Sequence, residues 1–126
     1  MVKVTDHLKN AKEFCEVGTR EYEEGRKTGA LTKMREGCEK IFHAYVEACA
    51  ALIQKSGFPE PESHGKRAEI LYKLGERRLI DVGKDSLVIL HKYAYYDSEI
   101  LPEDTENSIK GVEETIRYIR RKIAKT

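Results

Sequence analysis

Apolar residues recur along this chain at spacings of three and four, the repeat of an α-helix. Val4, Leu8, Ala11, Cys15, Gly18 and Tyr22 form one stripe, which predicts a first helix over 5–27 with Thr5 as its N-cap. The stretch TGALT (Thr28 to Thr32) interrupts it. A second stripe runs through Leu31, Met34, Cys38, Ile41, Phe42, Tyr45, Ala48, Cys49, Leu52 and Ile53, predicting a helix over 31–55. On a helical wheel it covers an arc of roughly 140–160°, which suits the central helix of a bundle. Gly57 is a fitting stop, and the prolines of FPEPES forbid continuation.

Ser63 caps a third predicted helix that carries Ile70, Leu71 and Leu74 and fades in GERRLIDVGKD. A fourth is expected from about Asp85 to Ser98. A fifth begins beyond Pro102 and keeps Ile109, Val112, Ile116, Ile119 and Ile123 on one stripe. Its acidic start (Glu103, Asp104, Glu106) and basic finish (Arg120, Arg121, Lys122, Lys125) follow the helix dipole. No strand-like alternation and no internal repeat is visible. The expectation is one all-α domain over residues 1–126, an antiparallel up-and-down bundle of about five helices.

The fourth helix has two apolar faces. Leu87, Leu90, His91 and Ala94 share one, with Val88 and Tyr95 at its margin, while Ile89, Tyr93 and Tyr96 form a second stripe nearly opposite. A helix apolar on both sides is covered on both sides. The first stripe suits the domain's own core, and Ile89, Tyr93 and Tyr96 predict an interface with a second copy, with burial against the long first helix of the same chain as the main alternative. Tyrosine fits such a place, because its ring buries well while its hydroxyl finds a partner at a wet edge. Stacking on nucleic-acid bases is the competing use, but it normally comes with a basic groove and only Lys92 is near.

Composition narrows the function classes. A chain of 126 residues has the length of one domain. Charged residues make up 36% of it, above the usual ~25%, as in proteins with surface ion-pair networks. The net charge of +1 supplies no global field to draw the protein onto nucleic acid or anionic lipid. Cys15, Cys38 and Cys49 contain no CxxC pair and fall on apolar stripes, so they read as reduced core thiols. The opening MVKVTDHLKNAKEF lacks the apolar run of a signal peptide, and no stretch approaches the ~20 apolar residues of a membrane span. A cytoplasmic protein without a membrane partner is expected.

A long first helix, KIFHAYVEACAALIQKSG on the second, SHGKRAEILYKL on the third, then LHKYAYYDSEILPED and a charged amphipathic last helix follow one another in order. In that order and in their lengths they resemble the HEPN superfamily (higher eukaryotes and prokaryotes nucleotide-binding domains). Within it they are most similar to the archaeal paralogous-repeat branch known as PaREP. Leu90, His91 and Tyr96 match that branch's LH-x-x-x-x-Y stretch, and the resemblance spans about residues 5–124. It implies a small HEPN-like bundle, usually a homodimer, that binds nucleotide or RNA beside a minimal nucleotidyltransferase. Many members are RNases or toxins of toxin–antitoxin pairs. The ribonuclease members carry an arginine and, four to six residues later, a histidine. Here the arginines nearest His91 on its N-terminal side, Arg77 and Arg78, are thirteen or more residues away. The nuclease chemistry does not carry over by that motif, and a non-catalytic module is expected.

Ser63, His64, Lys66 and Arg67 open the third helix, where free amides and cations make His64, Lys66 and Arg67 the candidate phosphate site, with ordinary capping as the alternative. No catalytic residue is assigned. A displaced ribonuclease site would be built from His91 and Tyr96 of both subunits, although the core-facing arc suits a buried, hydrogen-bonded histidine at His91. Glu39, His43 and Glu47 step by four along the second helix beside Glu36. A third ligand one turn further on cannot easily reach the same ion, so this row reads as a solvated, charge-paired face and no metal is expected. RYIRRKIAK is the basic run. Its Arg117, Arg120, Arg121 and Lys125 suit either a phosphate backbone or the helix dipole. No glycine-rich phosphate loop, GxSxG elbow or HExxH motif is present, and no cofactor is expected. The functional expectation is a dimeric module binding nucleotide, RNA or a partner protein. A metal-independent RNase or toxin and a ligand-free scaffold are the alternatives.

Overall fold

Two long helices, α1 (Val4–Thr28) and α2 (Leu31–Lys55), start the chain in a computed structural model that describes residues 2–125. Each is 25 residues long, about 37 Å at the α-helical rise. Gly29 and Ala30 alone connect them, which forces an antiparallel hairpin. Gly29 makes the reversal at a left-handed φ of 73°. The N-cap of α1 is Lys3, without a side-chain bond, rather than Thr5, which lies inside the helix. The two backbones touch where Gly18 meets Gly37. A Cβ on Gly37 would stand 2.5 Å from the Gly18 carbonyl oxygen.

Ser63 caps α3 (His64–Lys73), its Oγ accepting the Lys66 N–H at 3.0 Å. The next stretch, where the apolar pattern fades, is helical all the same. It forms α4 (Arg77–Ser86), whose inner side is built from Leu79, Gly83 and Ser86. Tyr45 fills the space that Gly83 leaves and donates to the Leu79 carbonyl at 2.6 Å. A glycine beneath a tyrosine ring reads in sequence as a gap in the stripe.

The chain continues from α4 into a π-helical segment, Leu87–Tyr96, instead of starting a new helix at Asp85. Ser86, buried at the junction, returns its hydroxyl to the Gly83 carbonyl at 3.3 Å. The segment ends with Asp97 N–H on Lys92 O at 2.9 Å and Glu99 N–H on Tyr93 O at 2.8 Å, across Ser98 at φ 58°. Then α5 (Pro102–Ala124) opens on proline, whose missing N–H costs nothing in a first turn.

The result is an all-α bundle, with no strand among the described residues. Helix α2 is central and packs on α1, α5 and the π segment. One hydrophobic cluster joins residues of every element, including Ala11, Ile41, Leu71, Leu79, Leu90 and Val112. The three cysteines are free and buried, and burial pushes the Cys15 thiol up to about 11 and those of Cys38 and Cys49 to about 12. No helix among the described residues is long and apolar enough to cross a membrane.

Candidate functional site

Three helical elements deliver three histidines to one place. His43 comes from α2, His64 from the first turn of α3 and His91 from the π segment, all around the buried ring of Phe42. Phe42 lies 5.0 Å from His91 and 5.5 Å from His64, centroid to centroid, and the two imidazoles are 6.2 Å apart. Phe42 thus acts as an apolar pedestal that fixes ring positions by packing.

Hydrogen bonds fix the tautomers. Glu39, one turn before His43, accepts from His91 Nδ1 at 2.7 Å, and its other oxygen lies 3.8 Å from His43 Nε2. A carboxylate only accepts, so Nδ1 of His91 carries hydrogen and Nε2 of the neutral ring keeps a lone pair. His64 has the opposite arrangement. Arg67 Nη1 donates to its Nδ1 at 2.9 Å, and guanidinium cannot accept, so the ring proton of neutral His64 sits on Nε2. Partial burial, then the charge of Arg67 and the proximity of His91, hold His64 below the ordinary imidazole value.

Arg67 is 8% exposed and has no carboxylate ion-pair partner among the described residues. Its Nε is buried without a hydrogen bond. A cavity of about 50 Å³ lies against it, lined also by His64, Lys84, Phe42 and Tyr45. That is room for about three to five waters, or for one tetrahedral oxyanion.

The π winding sets the outer edge of the cluster. Tyr96 stands edge-on to His91, and Tyr95 follows, its ring 5.4 Å from that of Tyr96. Arg35 of α2 donates to the Tyr95 carbonyl from both Nε (2.9 Å) and Nη2 (2.6 Å), with its guanidinium 5.6 Å from the Tyr95 ring.

Of the residues singled out in sequence, His64 and Arg67 meet as expected at the start of α3. Lys66 turns away to Glu69 at 3.6 Å. His91 and Tyr96 touch within one chain. The Ile89, Tyr93 and Tyr96 stripe diverges. Ile89 packs on the chain's own core, Tyr93 is half-buried beside Lys92, and Tyr96 is 66% exposed. The Glu39, His43, Glu47 row is divided between two histidines, since Glu47 bonds the buried His7 of α1. Among the described residues no three His, Cys, Asp or Glu side chains converge on a metal position. Sequence reasoning missed Glu39 as the partner of His91, as well as Arg35, Phe42 and Lys84. Glu39 and His91 are 52 positions apart. The one local signal was Phe42 between Glu39 and His43, an aromatic on the face that leads from core to surface. No protein-family model, curated protein or solved structure matches this chain.

Proposed function

We propose that this protein is a HEPN-like dimeric module that binds a phosphate group of a nucleotide or RNA at Arg67 and His64. The observation that carries the reading is Arg67. A buried guanidinium costs several kcal/mol to desolvate unless an anion meets it, and its hydrogen-bond partner here is a neutral imidazole. A phosphate in the adjoining cavity supplies the counter-charge that the guanidinium lacks. Lys84 and His64 line the same cavity. The sequence likeness to the HEPN superfamily supports the ligand class. Exposed Tyr96, with Phe14 and Val17 exposed on α1 and Phe14 6.2 Å from His43, gives the cluster an apolar rim that supports coverage by a second copy.

Calorimetric titration of the purified chain with inorganic phosphate and with a short single-stranded RNA tests this. Saturable binding that weakens with added salt is expected. His64→Ala should bind roughly fivefold more weakly, the loss of one hydrogen bond. Binding indifferent to ionic strength, or unchanged in His64→Ala, overturns the assignment.

The Glu39–His91 pair favours a second reading, metal-independent RNA cleavage. In it His91 Nε2 takes the proton of a 2′-hydroxyl, the 2′ oxygen attacks phosphorus, and the 5′ oxygen leaves with the Nε2 proton of a His64 imidazolium, formed once Arg67 has turned from Nδ1 to the bound phosphate. The products are a 2′,3′-cyclic phosphate and a free 5′-hydroxyl. RNA incubated in chelator should then be cut by the parent and by His43→Ala, but not by His91→Ala or Glu39→Gln. RNA left intact by the parent ends this reading and leaves the binding module.

A further inference from the structure

The basic run of the last helix does not stand alone in the fold. Between the first turn of α4 and the C-terminal half of α5 lies a cleft of about 690 Å³ that Arg77 and Arg78 line from α4 and Arg117 and Arg121 line from α5. Its size falls within the range of small-molecule sites.

Dipole complementarity explains a cation near the end of α5, but it runs the wrong way for α4. Arg77 and Arg78 occupy the first turn of α4, where the helix repels cations; the N-cap, Glu76, is the acidic residue next to them and no residue of the turn itself is acidic. The carboxylates of the cleft are already engaged. Glu76 accepts from the Tyr118 hydroxyl at 2.8 and 3.0 Å and from Lys122 Nζ at 2.6 Å, and Glu114 accepts from Arg78 at 3.0 Å. Arg77, Arg117 and Arg121 have no ion-pair partner among the described residues, and the guanidinium of Arg77 rests 5.7 Å from the Tyr72 ring. Like charges are therefore gathered from two helices around a concave surface.

We infer that this cleft binds a small molecule carrying two or more linked phosphates. Guanidinium groups match phosphate oxygens in pairs. A lone phosphate brings about two charges at neutral pH, whereas linked phosphates present charge along a length that donors on two helices can share. The site is separate from the one at Arg67.

Titrating the full chain with inorganic tripolyphosphate, orthophosphate and a single-stranded RNA oligomer tests the inference. Tripolyphosphate should bind about tenfold or more tightly than orthophosphate, and the exposed double variant Arg77→Gln/Arg121→Gln should lose about tenfold of that affinity. Arg120→Gln, on α5 outside the cleft, should leave it unchanged, with thermal melts verifying that all variants fold. An equal loss in Arg120→Gln or full affinity in the double variant overturns the site. So does an RNA oligomer that binds more tightly than tripolyphosphate with the same arginine dependence, since that would make the cleft a strand track.

Discussion

Tyr96 meets His91 edge to face, with ring centroids 4.9 Å apart and planes at 89°, although five residues separate them. On an α-helix that spacing points two side chains well away from each other. In a π-helix, whose hydrogen bonds close over five residues, it aligns them. The winding therefore moves Tyr96 from the face it would share with Ile89 and Tyr93 to the rim of the histidine cluster. π-Helical turns are frequent at functional sites, and here the turn both aims His91 at Glu39 and lays an exposed phenol beside it.

Arg35 holds the end of that segment. Both of its hydrogen bonds go to the Tyr95 carbonyl, a helix-end acceptor that has few other partners. Charge-assisted bonds of this kind contribute about 1.5–3 kcal/mol, so Arg35→Ala should cost about that much in stability. The amides of Asp97 and Glu99, which close the segment, should exchange faster with solvent. Unaltered exchange at those two amides would show that Arg35 is decorative.

His64 gives the site a pH dependence with a definite sign. Its folded value lies below the ordinary 6.5, mainly through burial. As pH falls through about 6.5 the unfolded chain takes the proton first, so His64 stabilises the fold fully above that pH and loses its contribution below it. A bound phosphate acts the other way by favouring the imidazolium. Binding of an RNA oligomer, whose phosphodiesters do not titrate in this range, should take up a proton below about pH 6.5 and tighten on acidification. Calorimetry in two buffers of different ionisation enthalpy measures the uptake. His64→Ala should abolish it, and proton release by the parent would contradict the proposed contact.

The α1–α2 hairpin predicts opposite outcomes for two glycines. Gly37→Ala would drive a Cβ to within 2.5 Å of the Gly18 carbonyl and 2.7 Å of the Tyr22 nitrogen. Both are backbone atoms that cannot swing aside, and overpacking of this kind costs about 1–3 kcal/mol. Gly111→Ala, inside α5, would meet nothing closer than Val82 Cγ1 at 3.8 Å, and should gain about 0.5–1 kcal/mol from helix propensity. Chemical denaturation of the two variants decides the matter, and equal midpoints would refute the close backbone approach.

The long helices were readable because their stripes keep one period over many turns. Leu31 to Ile53 marks α2 to its ends, and Ser63 marks the start of α3 by its capping chemistry. Helix α4 was not readable, because a glycine and a serine stand where the stripe needs bulk, and Tyr45 from α2 supplies the missing volume. The site was half legible. His64 and Arg67 are three apart on one helix, so their meeting follows from local geometry. The Glu39–His91 bond depends on how α2 and the π segment pack, and the Tyr96–His91 contact on a winding that no periodicity announces.

The proposed dimer rests on the tyrosines, and the structure sharpens its test. Tyr93 is half-buried and Tyr96 mostly open, while Ile89 already serves its own chain's core. Replacing Tyr93 and Tyr96 by alanine removes the outward aromatic surface and leaves Ile89 in place. The Tyr96–His91 pair is worth about 0.5–1.5 kcal/mol, too little for its loss to unfold the chain, so a change in mass would report association rather than collapse. Sedimentation at micromolar concentration should show a dimer in the parent and a monomer in the double variant, with both retaining cooperative melts. A parent that sediments as a monomer, or a variant that keeps the parent's dimer, would remove the second copy from the site and leave Tyr96 as a lid over His91 within a single chain.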